Sequence, residues 1–398
     1  MLQVPSRTGI AEDAVNNLLS TILFTPMGHG AWGLPVVFTG MPGSAKTRKL
    51  AQLAASWGLP FEGLAVGARG EGAFGVVPVP DGAGRVTYPR PDWTDRFVSQ
   101  GRGLILVDEL TTAGELLQHA LMALLSERVI GSHQLPGGVR VIGACNPPDV
   151  VRGFTLAAPV ANRIGHLKWE APSLDDWSEH MMSQVSETTL TSKDPAAEES
   201  RVLLQWPSYF GRSVASATAF LRTDPEMRER PFPVDDPRGS GPWPSLRTWD
   251  YAMRADASAR LHGLEAVGRE ALVESFIGNQ AAASWFTWAE QADLPDPADV
   301  LDGKVKYQVE PHRLDRAYAV LQGCTAMLAA PATESAAEKA ARLTRSACVW
   351  SILSAVGVTA ADIVVPFAAR LVKAGLHKCP EAQPVLKVIN PAVTAGVK

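Results

Sequence analysis

The stretch Pro35-Val36-Val37-Phe38-Thr39-Gly40-Met41-Pro42-Gly43-Ser44-Ala45-Lys46-Thr47 decides the fold. An apolar run reads as a buried strand, the small residues after it as a tight turn, and Arg48–Ser56 as the helix that follows. A strand–turn–helix of this kind aims several backbone N–H groups at one spot. The helix N-terminus adds partial positive charge, so the turn suits phosphate. Lys46 would then reach the β- and γ-phosphate oxygens of a nucleotide, and the Thr47 hydroxyl would meet Mg²⁺. The candidate nucleotide-binding residues are Gly40, Pro42, Gly43, Ser44, Ala45, Lys46 and Thr47. Ala45 departs from the usual glycine. Alanine is the smallest replacement and tolerates a right-handed helical conformation, so the turn can survive it.

Outward from this turn, apolar runs at Pro35–Thr39, Gly103–Val107, Val139–Cys145 and Ile164–Trp169 predict the buried strands of a parallel sheet. Ala113–Ser126 carries leucines at helical spacing between them. Gly103–Val107 runs into Asp108-Glu109. Downstream of a phosphate turn, such a pair supplies one acid for the metal's water shell and one to polarise the attacking water. The next strand ends in Asn146-Pro147, placing an amide where it would meet a γ-phosphate or the lytic water; Asn-Pro also serves as a plain turn. Between them, two short runs in 127–140 flank Leu135-Pro136-Gly137-Gly138 and predict a β-hairpin turning there.

In this order the motifs resemble the AAA+ ATPases with a hairpin before the sensor-1 strand. Within them the likeness is to the MoxR-like and dynein/midasin-related branch. Leu156-Ala-Ala-Pro159-Val-Ala-Asn162-Arg163-Ile164 is similar to the branch's arginine-finger stretch, and Pro244-Ser245-Leu246-Arg247-Thr248-Trp249 to its sensor-2 start. The resemblance covers roughly residues 30–260. With the loss of strand signals after Ser173 and the helical patterns beyond, the expected organisation is an αβα AAA+ nucleotide-binding core (1–172), a helical lid (173–262) and an all-helical extension (263–398), on the last of which the resemblance is nearly silent. The resemblance implies ATP and Mg²⁺ as ligands, with Thr47 and Asp108 at the metal and Glu109 activating water. Asn146 would sense the γ-phosphate, Arg247 couple it to the lid, and Arg163 complete a neighbour's site, with Arg152 a competitor for that role. A homo-oligomeric, hexameric ring doing mechanical work on a protein partner follows. The ATPase subunit of a metal chelatase with a von Willebrand A-type partner, and a nucleic-acid motor, are the alternatives.

The whole chain sets limits on these. At 398 residues it has room for two or three domains. Its net charge of -4 gives no general attraction to nucleic acid or to anionic membrane. The N-terminal residues lack the pattern of a signal peptide and no apolar run is long enough to span a bilayer, so a cytoplasmic protein is expected. The four cysteines, Cys145, Cys324, Cys348 and Cys379, have no paired spacing and read as thiols.

Three further readings concern the rest of the chain. Phe74, in the glycine-rich stretch 67–75, would either face a central pore or pack locally. The Pro- and Gly-rich segment Thr223–Ser245 predicts a long loop. Helical patterns follow near 246–260, 262–290, 312–329, 334–354 and 358–375, and the tail from Pro380 is expected to fray.

Overall fold

The computed structural model describes residues 10–69, 71–147, 150, 155–171, 192–228, 241–328 and 335–395. Its first helices are α1 (Ile10–Leu23), α2 (Lys46–Ser56), α3 (Asp95–Gln100), α4 (Glu115–Glu127) and α5 (Ala158–Ala161). The strands are β1 (Pro26–Gly28), β2 (Ala31–Trp32), β3 (Val36–Thr39), β4 (Phe61–Ala65), β5 (Val79–Pro80), β6 (Val86–Thr87), β7 (Arg102–Asp108), β8 (Val129–Ile130), β9 (His133–Gln134), β10 (Gly138–Cys145) and β11 (Gly165–Lys168). Then come α6 (Pro195–Thr223), α7 (Leu246–Leu261), α8 (Ala266–Ala292), α9 (Pro297–Leu301), α10 (Leu314–Met327), α11 (Ala336–Gly357), α12 (Ala361–Lys373) and α13 (Ala382–Ala395).

Five strands form one sheet in the order β11-β3-β10-β7-β4, every neighbouring pair parallel. The central strands are apolar on both faces, as a sheet covered on both sides requires. Val37, Ile105, Val107, Val139 and Val141 share a core with Leu121, Leu124 and Leu125 of α4. Leu104 and Leu106 alternate onto the opposite face and are equally buried. Helix α2, whose buried Leu50, Leu53 and Ala54 lie outside that core, packs on β4 and β7. The fold is α/β, and its later part is helical.

The strands expected at 35–39, 103–107, 139–145 and 164–169 are β3, β7, β10 and β11. The hairpin is present but turns elsewhere: β8 pairs with β9 through Gly131-Ser132, and Leu135-Pro136-Gly137-Gly138 instead leads into β10. Phe74 is 2% exposed within the core shared with α4, so it packs and does not face a pore. Among the described residues, the tail from Pro380 is ordered into a helix where fraying was expected. Residues 382–395 are helical, and Ala382 and Val385 are buried in a core with Leu371 and Leu376. Of the expected loop 223–245, Pro225–Met227 forms a short 3-10 turn and 229–240 lie outside the described residues, as does Arg152.

The chain divides into two units, residues 1–204 with 228–282 and residues 205–227 with 283–398. Neither expected boundary, near 172 or near 262, falls on this division. In the first unit, α7 is tied to α1 and its flank: Arg254 Nη1 donates to the Pro26 carbonyl at 2.9 Å and Ser258 Oγ to that of Thr21 at 3.3 Å. Two buried guanidiniums brace the N-terminal edge of the sheet. Arg128, at the left-handed end of α4 (φ 59), donates Nε to Val139 O at 2.8 Å and Nη2 to Gly33 O at 3.0 Å. Arg140, fully buried, pairs with Glu199 of α6 at 2.5 Å, and Arg102 stands 3.8 Å from the same carboxylate. In the second unit the described elements are helical, and the Trp350 indole N–H donates to Leu376 O at 2.7 Å within their core.

Candidate active site

The strand order sets the site. Pairing places Cys145 beside Thr39 and Gly143 beside Val107. The C-terminal tips of β3, β10 and β7 therefore lie side by side, carrying the Gly40–Thr47 turn, Asn146 and the Asp108-Glu109 pair. The Gly40 N–H donates to Cys145 O at 3.1 Å, fastening the start of the turn to the central strand.

Within the turn, Gly43 takes φ 75 and Ala45 φ 63. Ala45 is thus left-handed, not in the right-handed conformation that alanine tolerates, and its Cβ carries a cost of about 1–2 kcal/mol that glycine would avoid. This kink is what starts α2 at Lys46. Ala45 gives α2 no side-chain cap, so first-turn N–H groups remain for an outside acceptor. Met41, Pro42, Gly43, Ala45 and Thr47 are exposed while Ser44 and Lys46 are buried. The Ser44 hydroxyl donates to Met41 O at 2.7 Å.

The Lys46 ammonium donates to Gly40 O at 2.7 Å and Met41 O at 3.0 Å. Burial pushes its pKa down, with Asp108 and Cys145 opposing the shift. The Cys145 thiol, hydrogen-bonded with Thr39 Oγ1 at 3.2 Å, is pushed up by burial. Thr47 Oγ1 donates to Asp108 Oδ2 at 2.7 Å, and Asp108 Oδ1 accepts the Glu109 backbone N–H at 2.9 Å. A hydroxyl and a carboxylate so placed are hard oxygen donors suited to Mg²⁺. Glu109 is itself left-handed, φ 59. Two non-glycine residues in this sparse conformation at one sheet edge mark a place where geometry is held against local preference.

The two arginines lie elsewhere. Gly165 pairs with Val36, so Arg163 precedes the N-terminal edge of the sheet. The run from Val36 to Gly40 alone spans about 13 Å. The Arg163 guanidinium donates to Pro159 O at 3.0 Å and meets Met122 Sδ at 3.3 Å. Asn162 accepts from Ser245 Oγ at 2.9 Å and donates to Trp243 O at 3.1 Å. Ser245 caps α7 in a capping box with Thr248, which brings the exposed Arg247 to the same end. Burial raises the pKa of Tyr251 there, with Arg247, Arg128 and Arg163 pulling it down. Arg247, expected to couple the chain's own γ-phosphate to a lid, is thus grouped with Arg163 and away from the cradle.

Sequence reasoning missed Trp169. One residue beyond β11, its indole N–H donates to Ser44 O at 2.9 Å. No local signal announces it, because the contact depends on β11 pairing with β3.

No family model matches the sequence, and no curated protein does. Among solved structures, the chain is similar to the crystal structure of a "putative ATPase" from Cytophaga hutchinsonii. The TM-score is 0.44 and the identity 14%, over 70% of this chain and 88% of that one. No described helix is long and apolar enough to cross a membrane.

Proposed function

We propose that the chain is a Mg-ATP-dependent ATPase of the AAA+ type, similar to the MoxR-like and dynein/midasin-related branch. The observation that carries the reading is the Thr47–Asp108 hydrogen bond of 2.7 Å, which joins the phosphate turn to the acid strand across an intervening strand tipped by Asn146. Mg-ATP supplies the phosphoanhydride and the cation that neutralises it. Backbone N–H groups from Gly43 to Thr47, with Lys46, hold the phosphates; Thr47 and Asp108 hold the metal and its water. Glu109 orients and deprotonates the attacking water, and Asn146 fixes its position.

Arg163 and Arg247, at the opposite end of the sheet from their own cradle, complete the site of a second copy in a homo-oligomeric ring, where always-charged guanidiniums stabilise the transferring phosphoryl group. The work goes to a protein partner. Calorimetric titration of the purified full chain with Mg-ATP, followed by phosphate-release assays, tests the reading. Absence of binding at millimolar nucleotide sinks it. Loss of turnover in Lys46→Ala with its fold intact supports it.

A further inference from the structure

We infer that Trp169 is a positioning residue for phosphate binding: it sets the direction of the Ser44–Ala45 peptide and holds Ala45 in its left-handed conformation. This rests on the ATPase reading, and it names a part of that site which no motif supplies.

In a trans peptide the carbonyl and the next N–H point in opposite directions. The Trp169 indole N–H donates to the Ser44 carbonyl at 2.9 Å, so the Ala45 N–H is turned to the side away from the indole. Trp169 is itself fixed at three points. Its backbone N–H donates to Thr39 O at 2.8 Å, and its ring meets Phe38 edge-on, centroids 5.2 Å apart and planes at 80°. Its backbone also lies against Gly40 so closely that a Cβ there would stand 2.6 Å from the Trp169 carbonyl oxygen. One residue therefore touches the strand before the turn, the first residue of the turn and the carbonyl at its crest.

The strain at Ala45 gives this bracing a purpose. A glycine at φ 63 needs no support, whereas alanine there is held against a steric preference. Something must stop the peptide from rotating away, and the indole bond is the contact placed to do so. Ala45 and Trp169, distant in sequence, should therefore be energetically coupled. The need for the indole N–H exists because residue 45 is not glycine.

The test is a double-mutant cycle. Trp169→Phe keeps an aromatic ring and removes only the N–H. The loss of one hydrogen bond should weaken Mg-ATP binding about fivefold and raise KM alike, with kcat within about twofold of the parent. Adding Ala45→Gly to Trp169→Phe should recover most of the lost affinity, because the turn then holds its shape unaided. A purely structural role for Trp169 would lower Tm and kcat together and would not be rescued by glycine at 45; that outcome overturns the inference, as does unchanged affinity in Trp169→Phe.

Amide hydrogen exchange of peptides covering 43–47, in nucleotide-free protein, separates this claim from the one beneath it. Faster exchange in Trp169→Phe is expected whatever the protein binds, and unchanged exchange overturns the inference. Faster exchange in a chain whose parent fails to bind Mg-ATP overturns the ATPase reading and leaves the bracing of the turn in place.

Discussion

Thr47 Oγ1 lies 2.7 Å from Asp108 Oδ2, a hydrogen bond between residues on different elements that ties the first turn of α2 to the tip of β7. Because β10 lies between β3 and β7 in the sheet, the bond spans the full width of the candidate site. Asp108→Asn keeps the shape and removes the charge. Mg²⁺-dependent turnover should fall by about 100-fold or more, with nucleotide binding weakened far less. Steady-state assays over a Mg²⁺ titration check this, and an unchanged Mg²⁺ dependence would count against the assignment.

Glu109 should behave differently. Glu109→Gln removes the proposed base while leaving the proposed phosphate contacts, so kcat should drop by about 10²–10⁴ with ATP still bound. Its neighbour Gly67 offers a subtler probe: a Cβ there would stand 3.1 Å from Glu109 Oε2 and 3.3 Å from Thr112 Oγ1. Gly67→Ala should push the carboxylate by a few tenths of an ångström and lower kcat several-fold at constant KM. A changed KM with constant kcat would place the disturbance elsewhere.

Arg163 is separated from its own cradle by the length of the strands, so it should act on another copy. Arg163→Ala and Lys46→Ala chains should each be inactive alone. Mixed and allowed to exchange subunits, they should regain a fraction of parental turnover, because some interfaces then pair an intact cradle with an intact arginine. Strictly zero activity in a mixture shown by native mass spectrometry to contain both chains would refute action in trans.

The Arg140–Glu199 pair predicts a stability effect away from the chemistry. Arg140 is fully buried and Glu199 is 15% exposed. Glu199→Leu leaves an uncompensated buried guanidinium and should cost about 3–5 kcal/mol in urea unfolding. Arg140 and Glu199 changed together to Met and Leu should cost less than Glu199→Leu alone, since no charge is then stranded. A double mutant less stable than the single would contradict that account.

His262 gives a pH signature. Burial pushes its pKa below the ordinary 6.5, with the Ser258 carbonyl and Glu198 resisting. The unfolded chain then binds the proton more readily, so stability is lost as pH falls from about 6.5 toward the folded value, at up to about 1.4 kcal/mol per pH unit. Glu198, lowered chiefly by its hydrogen bond from Arg201, adds its own loss only at more acid pH. His262→Asn should flatten the slope just below about pH 6.5 in urea titrations. An unaltered slope assigns the dependence to another group.

The central strands β3, β7 and β10 were legible because a parallel strand buried on both faces reads as an unbroken apolar run; β11, at the edge beside β3, was also placed, although its residues alternate between buried and half-buried. β4 was not placed, since Glu62 and Gly63 interrupt it at the sheet edge, where Glu62 pairs with Arg69 and Arg96. Leu135-Pro136-Gly137-Gly138 looked like a turn, but Gly137 serves close packing: a Cβ there would stand 2.3 Å from Gly30 O. The tail from Pro380 was expected to fray, yet it holds α13, and Pro384 falls in the first turn of that helix, where a missing N–H costs nothing. The turn and the acids could be read because their chemistry is local in sequence. Trp169, and the grouping of Arg247 with Arg163, depend on pairings between distant segments that no short motif encodes.

The position of β10 has a practical consequence. Its last residue, Cys145, is 4% exposed and its thiol is held mostly protonated by burial, beside the same strand tips that carry the turn and the acids. Alkylating reagents act on thiolates that solvent can reach, so this sulfur should react only when the edge around it parts. The half-life of Cys145 toward iodoacetamide, followed by peptide mass, therefore times the opening of the site without any added label. The partly exposed Cys348 and Cys379 serve as internal standards on the same molecule.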